Sequence, residues 1–187
     1  MIELQQKFIK EIESDISNLI YAGQRELTKS ELKRRNEVHP DLRLLYDEAR
    51  IEMLKEQSPL VHPMDIYLVC GNRNKEDQTK AVAGGFSKVF WPNGKHNIGR
   101  DKSVTVDGYC SDAMDCAPIK WNGVKYELDW NDLKAFKYMV DLMMRVAKRL
   151  ESEGKIKKIR FGADFNQDGN LKNDKFVDLP HVEVVLV

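Results

Sequence analysis

The chain has 187 residues, 42% of them hydrophobic, and its 30 basic and 30 acidic side chains cancel. That size suits one compact domain with an added helix. Charge balance removes any global pull toward nucleic acid or an acidic membrane surface, and no apolar run comes near the roughly 20 residues that span a bilayer.

Met1-Ile2-Glu3-Leu4-Gln5-Gln6-Lys7 lacks the basic start and apolar block of a secretory signal. Residence in a cytoplasm is therefore expected. Cys70, Cys110 and Cys116 form no CxxC pair, and their odd number argues for free thiols.

Leu4, Phe8, Ile12, Ile16 and Leu19/Ile20 recur at helical spacing, which predicts a helix over 3–22 that Gly23 stops. A short basic helix or turn follows over Ser30–Arg35. His39-Pro40-Asp41-Leu42 opens another helix, with Pro40 in its first turn and Leu42, Leu45, Ala49 and Met53 on one face. Pro59 and Pro63 bound a loop, and Asp65–Cys70 reads as a strand that ends at Gly71-Asn72-Arg73. A helix is predicted from Glu76 to Ala83, stopped by Gly84-Gly85. Residues 86–111 are irregular, and a loop of that length in a compact domain is usually functional.

Ala113–Ile119 is predicted as a strand, and Asn122-Gly123 as the tight turn of a hairpin. The longest helix is expected over 131–152, with Leu133, Phe136, Val140, Met143, Ala147 and Leu150 on its apolar face and Gly154 behind it. A strand over Ile156–Ala163 and a polar loop through Asn173 lead to a closing strand from His181 onward. Scattered strands among helices give an α+β fold with a small, mostly antiparallel sheet flanked by helices.

Two places resist a purely structural explanation. In the closing strand, alternation puts Val182, Val184 and Leu186 on one face and His181 and Glu183 on the other. Pro180 suits the start of that strand because it has no ladder donor, and Asp178 stands just before the bend. The second place is Asp115, a carboxylate inside the apolar run Ala-Met-Asp-Cys-Ala-Pro. Burying it is costly unless a cation compensates. Either an arginine or a metal would do so, and zinc takes such nitrogen and oxygen donors.

Asp178-Leu179-Pro180-His181-Val182-Glu183, preceded by Phe161-Gly162-Ala163-Asp164-Phe165, resembles the closing motif of phage L-alanyl-D-glutamate peptidases. These endolysins belong to the zinc D-Ala-D-Ala carboxypeptidase-like superfamily. Further stretches resemble the family in order: His39-Pro40-Asp41-Leu42, Gly71-Asn72-Arg73 with Gln78, Gly85-Phe86-Ser87-Lys88, Lys95-His96-Asn97, and Ser111–Pro118. The resemblance spans residues 30–187, which it marks as the catalytic domain, and leaves 1–29 as an N-terminal helical extension.

The resemblance implies a zinc ion held by His96, Asp115 and His181, with Asp178 as general base and Arg73 steadying the carbonyl oxygen as it becomes an oxyanion. Gln78 and Glu183 would support the ligands from behind; for Glu183, an ordinary ion pair with a Lys or Arg is the equal alternative. The family spacing puts the first histidine seven to nine residues before the aspartate, whereas His96 lies 19 residues before Asp115. His96 therefore requires an insertion over 98–110. Cys110 is the substitute donor, ranked below His96, while His39 is expected to cap a helix or lie at the surface and His62 to lie at the surface.

Asp164, Asn166 and Asp168, followed by Gly169, have the opening of a calcium-binding loop, but its closing position is Lys175. Asx-turns explain the same residues. The implied activity is a zinc metallopeptidase that hydrolyses a peptidoglycan stem peptide, at the L-Ala–D-Glu bond rather than D-Ala–D-Ala. Its partner is the stem peptide, with no nucleic acid, no membrane insertion and a monomeric state. Such a phage lysin would reach the cell wall from the host cytoplasm through a lesion made by another factor. The rival expectation is a catalytically inactive wall-binding or virion-associated module that keeps the fold.

Overall fold

The computed structural model describes residues 25–57, 63–169 and 177–186. The helix expected over 3–22 and His62 lie outside the described residues. Among the described residues four helices, α1 (Lys29–Glu37), α2 (Pro40–Gln57), α3 (Lys75–Ala83) and α4 (Leu133–Ser152), combine with five strands. The strands are β1 (Met64–Cys70), β2 (Ala113–Trp121), β3 (Tyr126–Glu127), β4 (Ile159–Phe161) and β5 (His181–Val184). They form one sheet in the order β1-β2-β5-β4, with β3 also on β2 and every pairing antiparallel. The α+β expectation holds.

Helix α1 starts at a capping box: Thr28 Oγ1 accepts the Glu31 N–H at 3.1 Å, and Glu31 Oε2 accepts the Thr28 N–H at 3.1 Å. In α2, Leu42, Leu45, Ala49 and Met53 are fully buried, as their spacing requires. Helix α4 starts two residues later than expected because Asp132 caps it, accepting the Ala135 N–H at 3.0 Å. Both long helices pack against the sheet and each other, over Ile66, Leu68, Met114, Val182 and Val184.

The outer edge of β1 is closed by side chains. Arg25 and Tyr46 donate to the Ile66 carbonyl at 3.2 and 3.1 Å, and Arg34 donates to the Leu68 carbonyl at 3.0 Å. That removes a template for strand addition. Arg25 also reaches Glu31 and Asp65, and Arg50 completes a buried ion cluster on Asp65.

The strand expected over Ile156–Ala163 shrinks to three residues. Lys157 gives its backbone N–H to Asp41 Oδ2 at 2.7 Å instead of to a ladder, and Phe161 turns back on Asp164 at the other end. The closing strand likewise stops at Val184. Asn122-Gly123 does make the hairpin turn, with Gly123 at φ +99°.

Candidate functional site

On the sheet face away from the buried valines, one row of side chains crosses three strands. Asp115 on β2 is the register partner of His181 on β5 and of Cys70 on β1. Directly opposed strand residues stand close enough for their side chains to meet. Cys70 reaches this face because β1 carries a bulge between Leu68 and Cys70, which reverses the alternation. Without it, Cys70 would share the core side with Ile66 and Leu68. Alternation alone therefore gave no sign of this thiol, and no role for it was expected.

His96 enters from the long loop after α3. The Arg73 N–H donates to the His96 carbonyl at 2.7 Å, and Asn97 Nδ2 donates to the Arg73 carbonyl at 3.2 Å and to Gln78 Oε1 at 3.0 Å. Asn97 Oδ1 in turn accepts the Gly94 N–H at 2.9 Å. Gln78, 1% exposed, thus acts on the loop that carries His96, through Asn97. Residues 98–110 fold away to one side: the Arg100 N–H and the Tyr109 hydroxyl both donate to Asp112, and Asp101 meets His39 and Lys157.

His96 Nε2 lies 3.2 Å from Asp115 Oδ1 and 3.3 Å from His181 Nδ1, and His181 Nδ1 lies 3.2 Å from Asp115 Oδ1. Three donor atoms therefore stand at the corners of a nearly equilateral triangle. Donors held at about 2.0–2.1 Å around a tetrahedral zinc are separated by about 3.3 Å. The residues present fit that ion.

The far side of each imidazole fixes its tautomer. His96 Nδ1 donates to the Gly71 carbonyl at 2.7 Å, and His181 Nε2 donates to Glu183 Oε2 at 3.0 Å. A carbonyl or carboxylate oxygen only accepts, so in the neutral imidazoles the lone pairs fall on His96 Nε2 and His181 Nδ1, the two that converge. Asp115 divides its oxygens: Oδ2 takes Arg73 Nη2 at 2.6 Å, leaving Oδ1 for the triangle. Cys70, His96 and Asp115 also form a group with donor atoms within 4.8 Å of one another. The Cys70 sulfur, however, lies 4.0 Å from His96 Nδ1, the nitrogen already committed to Gly71. The His96–Asp115–His181 atoms are the more closely spaced of the two sets.

Electrostatics follows from this crowding. Burial works against an imidazolium at His96, but the Asp115 charge and then Cys70 outweigh it and lift its pKa to about 10. His181 is raised too, burial being outweighed by its bonds to Asp115 and Glu183. Burial opposes ionisation of Asp115, yet His96, His181 and Arg73 hold its carboxyl well below the usual range. Asp178 is pushed the other way, first by burial and then by the Asp115 charge, while His181, His96 and Arg73 temper the rise. All four site groups therefore act on Asp178.

Glu183 bonds His181 through one oxygen and Arg160 through the other. Cys110 is a correction: its thiol lies among Glu37, Arg43 and Lys33, because its N–H is tied to the Glu37 carbonyl at 2.8 Å. His39 caps α2 through its carbonyl and Nδ1, but at 2% exposure it is buried, not superficial. Asp164, Asn166 and Asp168 form a turn of their own, in which Asp164 accepts the N–H groups of Asp168 and Gly169 at 3.1 and 3.0 Å. Lys175 lies outside the described residues.

A family model described as phage L-alanyl-D-glutamate peptidase matches residues 23–185. No curated protein matches the chain.

Proposed function

The chain belongs to the phage L-alanyl-D-glutamate peptidase family, and from that premise we propose a zinc-dependent hydrolase that cuts the L-Ala–D-Glu amide of peptidoglycan stem peptides. The observation that carries the metal is the 3.2–3.3 Å triangle of His96 Nε2, Asp115 Oδ1 and His181 Nδ1. His96, Asp115 and His181 would hold the zinc, which would supply the acidity that brings a water's pKa from about 15.7 to about 7.

The chain's own residues supply the rest. Asp178, its pKa raised, takes the proton from the attacking water and passes it to the leaving amine. Arg73 commits one Nη2 donor to Asp115. Its guanidinium carries five N–H groups, and one of the others donates to the carbonyl oxygen as negative charge grows on it. Gly71 and Glu183 hold the imidazoles so that neither turns away during turnover.

Metal analysis and digestion of purified peptidoglycan test this reading together. One zinc per chain and stem peptides that begin at D-Glu are expected. Release of D-Ala alone would replace the proposed bond, and zinc-free protein that folds and binds cell wall would replace the enzyme.

A further inference from the structure

We propose that Arg160 is the positioning residue of the third metal donor, acting on His181 through Glu183 and Phe165. Arg160 stands on β4 as the register partner of Glu183, which pairs on its other side with Ala113 of β2. Ile159 and Phe161 are buried on either side of it, so alternation sends Arg160 to the face that carries His181. Its Nε donates to Glu183 Oε1 at 2.9 Å and its Nη2 donates to the same oxygen. The other oxygen, Oε2, receives the His181 Nε2 proton at 3.0 Å.

Each link removes one freedom. An imidazole turns about its χ2 axis, and only a bond at the far nitrogen keeps Nδ1 aimed at Asp115. Glu183 has three side-chain torsions, and its carboxylate needs an anchor of its own. A guanidinium that bonds through two nitrogens fixes direction as well as distance, which a lysine ammonium does not. The same guanidinium lies 5.6 Å from the Phe165 ring centre, and that ring tilts by 32° over His181 at 5.9 Å. Arg160 thus braces both groups that flank the imidazole, one at its edge and one on its face. The Glu183 end of the pair is buried at 4% exposure while the Arg160 side chain is 35% exposed, so the carboxylate is held where solvent does not compete for it.

The inference rests on His181 being a zinc donor. Zinc dissociation constants, measured by competition with a chromophoric chelator, test it on the purified full chain. Arg160→Ala and Glu183→Gln should each weaken zinc binding about 10–100-fold, with Arg160→Lys in between. The double variant Arg160→Ala/Glu183→Gln should lose clearly less than the sum of the two single losses, because the arginine acts in large part through the carboxylate. Arg145→Ala, which breaks an exposed pair with Glu56, should leave zinc affinity unchanged. If Arg160→Ala does not fold, Arg160→Gln takes its place in the cycle. Wild-type affinity in the folded arginine variant, or fully additive losses in the double variant, overturns the role of Arg160. Wild-type protein that binds no zinc overturns the donor reading beneath it.

Discussion

Asp115 and His181 are register partners on adjacent antiparallel strands, and the carboxylate oxygen of one lies 3.2 Å from the Nδ1 of the other. A one-residue slip of β5 would send His181 into the core and Val182 into the site. The ladder that builds the sheet therefore also builds two corners of the donor triangle.

Removing a corner should remove the metal. His96→Ala, Asp115→Ala and His181→Ala are each expected to lower zinc content from one per chain to nearly none, and peptidoglycan hydrolysis with it. Metal analysis after gel filtration reads this directly. Full zinc occupancy in His96→Ala would mean that the 98–110 insertion does not deliver the first donor.

Metal-free protein should lose stability as pH rises. The His96 pKa of about 10 stands above its ordinary 6.5, so the fold gains from binding that proton. The gain is complete below about 6.5 and disappears as pH climbs through about 10. Zinc competes with the same proton, so its binding releases protons and tightens with pH. Melting curves from pH 6.5 to 10, with chelator and with zinc, should diverge steadily. Parallel curves would contradict the assignment.

Asp178→Asn should keep zinc and lose turnover, with kcat down about 10²–10⁴-fold and little change in fold. Gly162→Ala reaches the same place by another route. A Cβ there would overlap the Asp178 carbonyl oxygen and come within 2.9 Å of the His181 Cβ, and such overpacking costs about 1–3 kcal/mol. Its zinc affinity should fall together with its activity, a pattern Asp178→Asn does not share. Equilibrium dialysis against zinc separates the two.

Much of this arrangement was legible in the sequence because local pattern dictated it. The stripes of α2 and α4 follow from helical spacing, and Asp115 stood out as a carboxylate within an apolar strand. Other parts depend on long-range geometry. The bulge in β1 brings Cys70 to the site against its alternation, and Arg160 matters only because β4 pairs with β5. Arg25 lies within the stretch read as an extension, yet it is 3% exposed and bonded to both Glu31 and Asp65. No spacing rule announces a buried arginine in that position.

Arg25→Ala should therefore destabilise the domain far from any donor. It leaves two buried carboxylates short of a partner, and breaking such a cluster costs about 3–5 kcal/mol. Urea denaturation of zinc-loaded protein should show the lower midpoint, while zinc stoichiometry in native buffer stays at one. A midpoint within error of wild type would show the cluster to be dispensable.

Cys110 was the reserve donor in the sequence, but its thiol sits among Glu37, Arg43 and Lys33. Cys110→Ser should therefore leave zinc affinity and activity unchanged. Asn97 is the residue that ties the loop down, through the Arg73 carbonyl, Gln78 Oε1 and the Gly94 N–H. Asn97→Ala strands buried polar groups at a cost of about 1–3 kcal/mol and frees the turn that presents His96. Zinc should then bind about tenfold more weakly or worse, within the range seen when outer supports of metal ligands are removed. Weakened binding in Cys110→Ser with none in Asn97→Ala would place the thiol, not the imidazole, at the third corner.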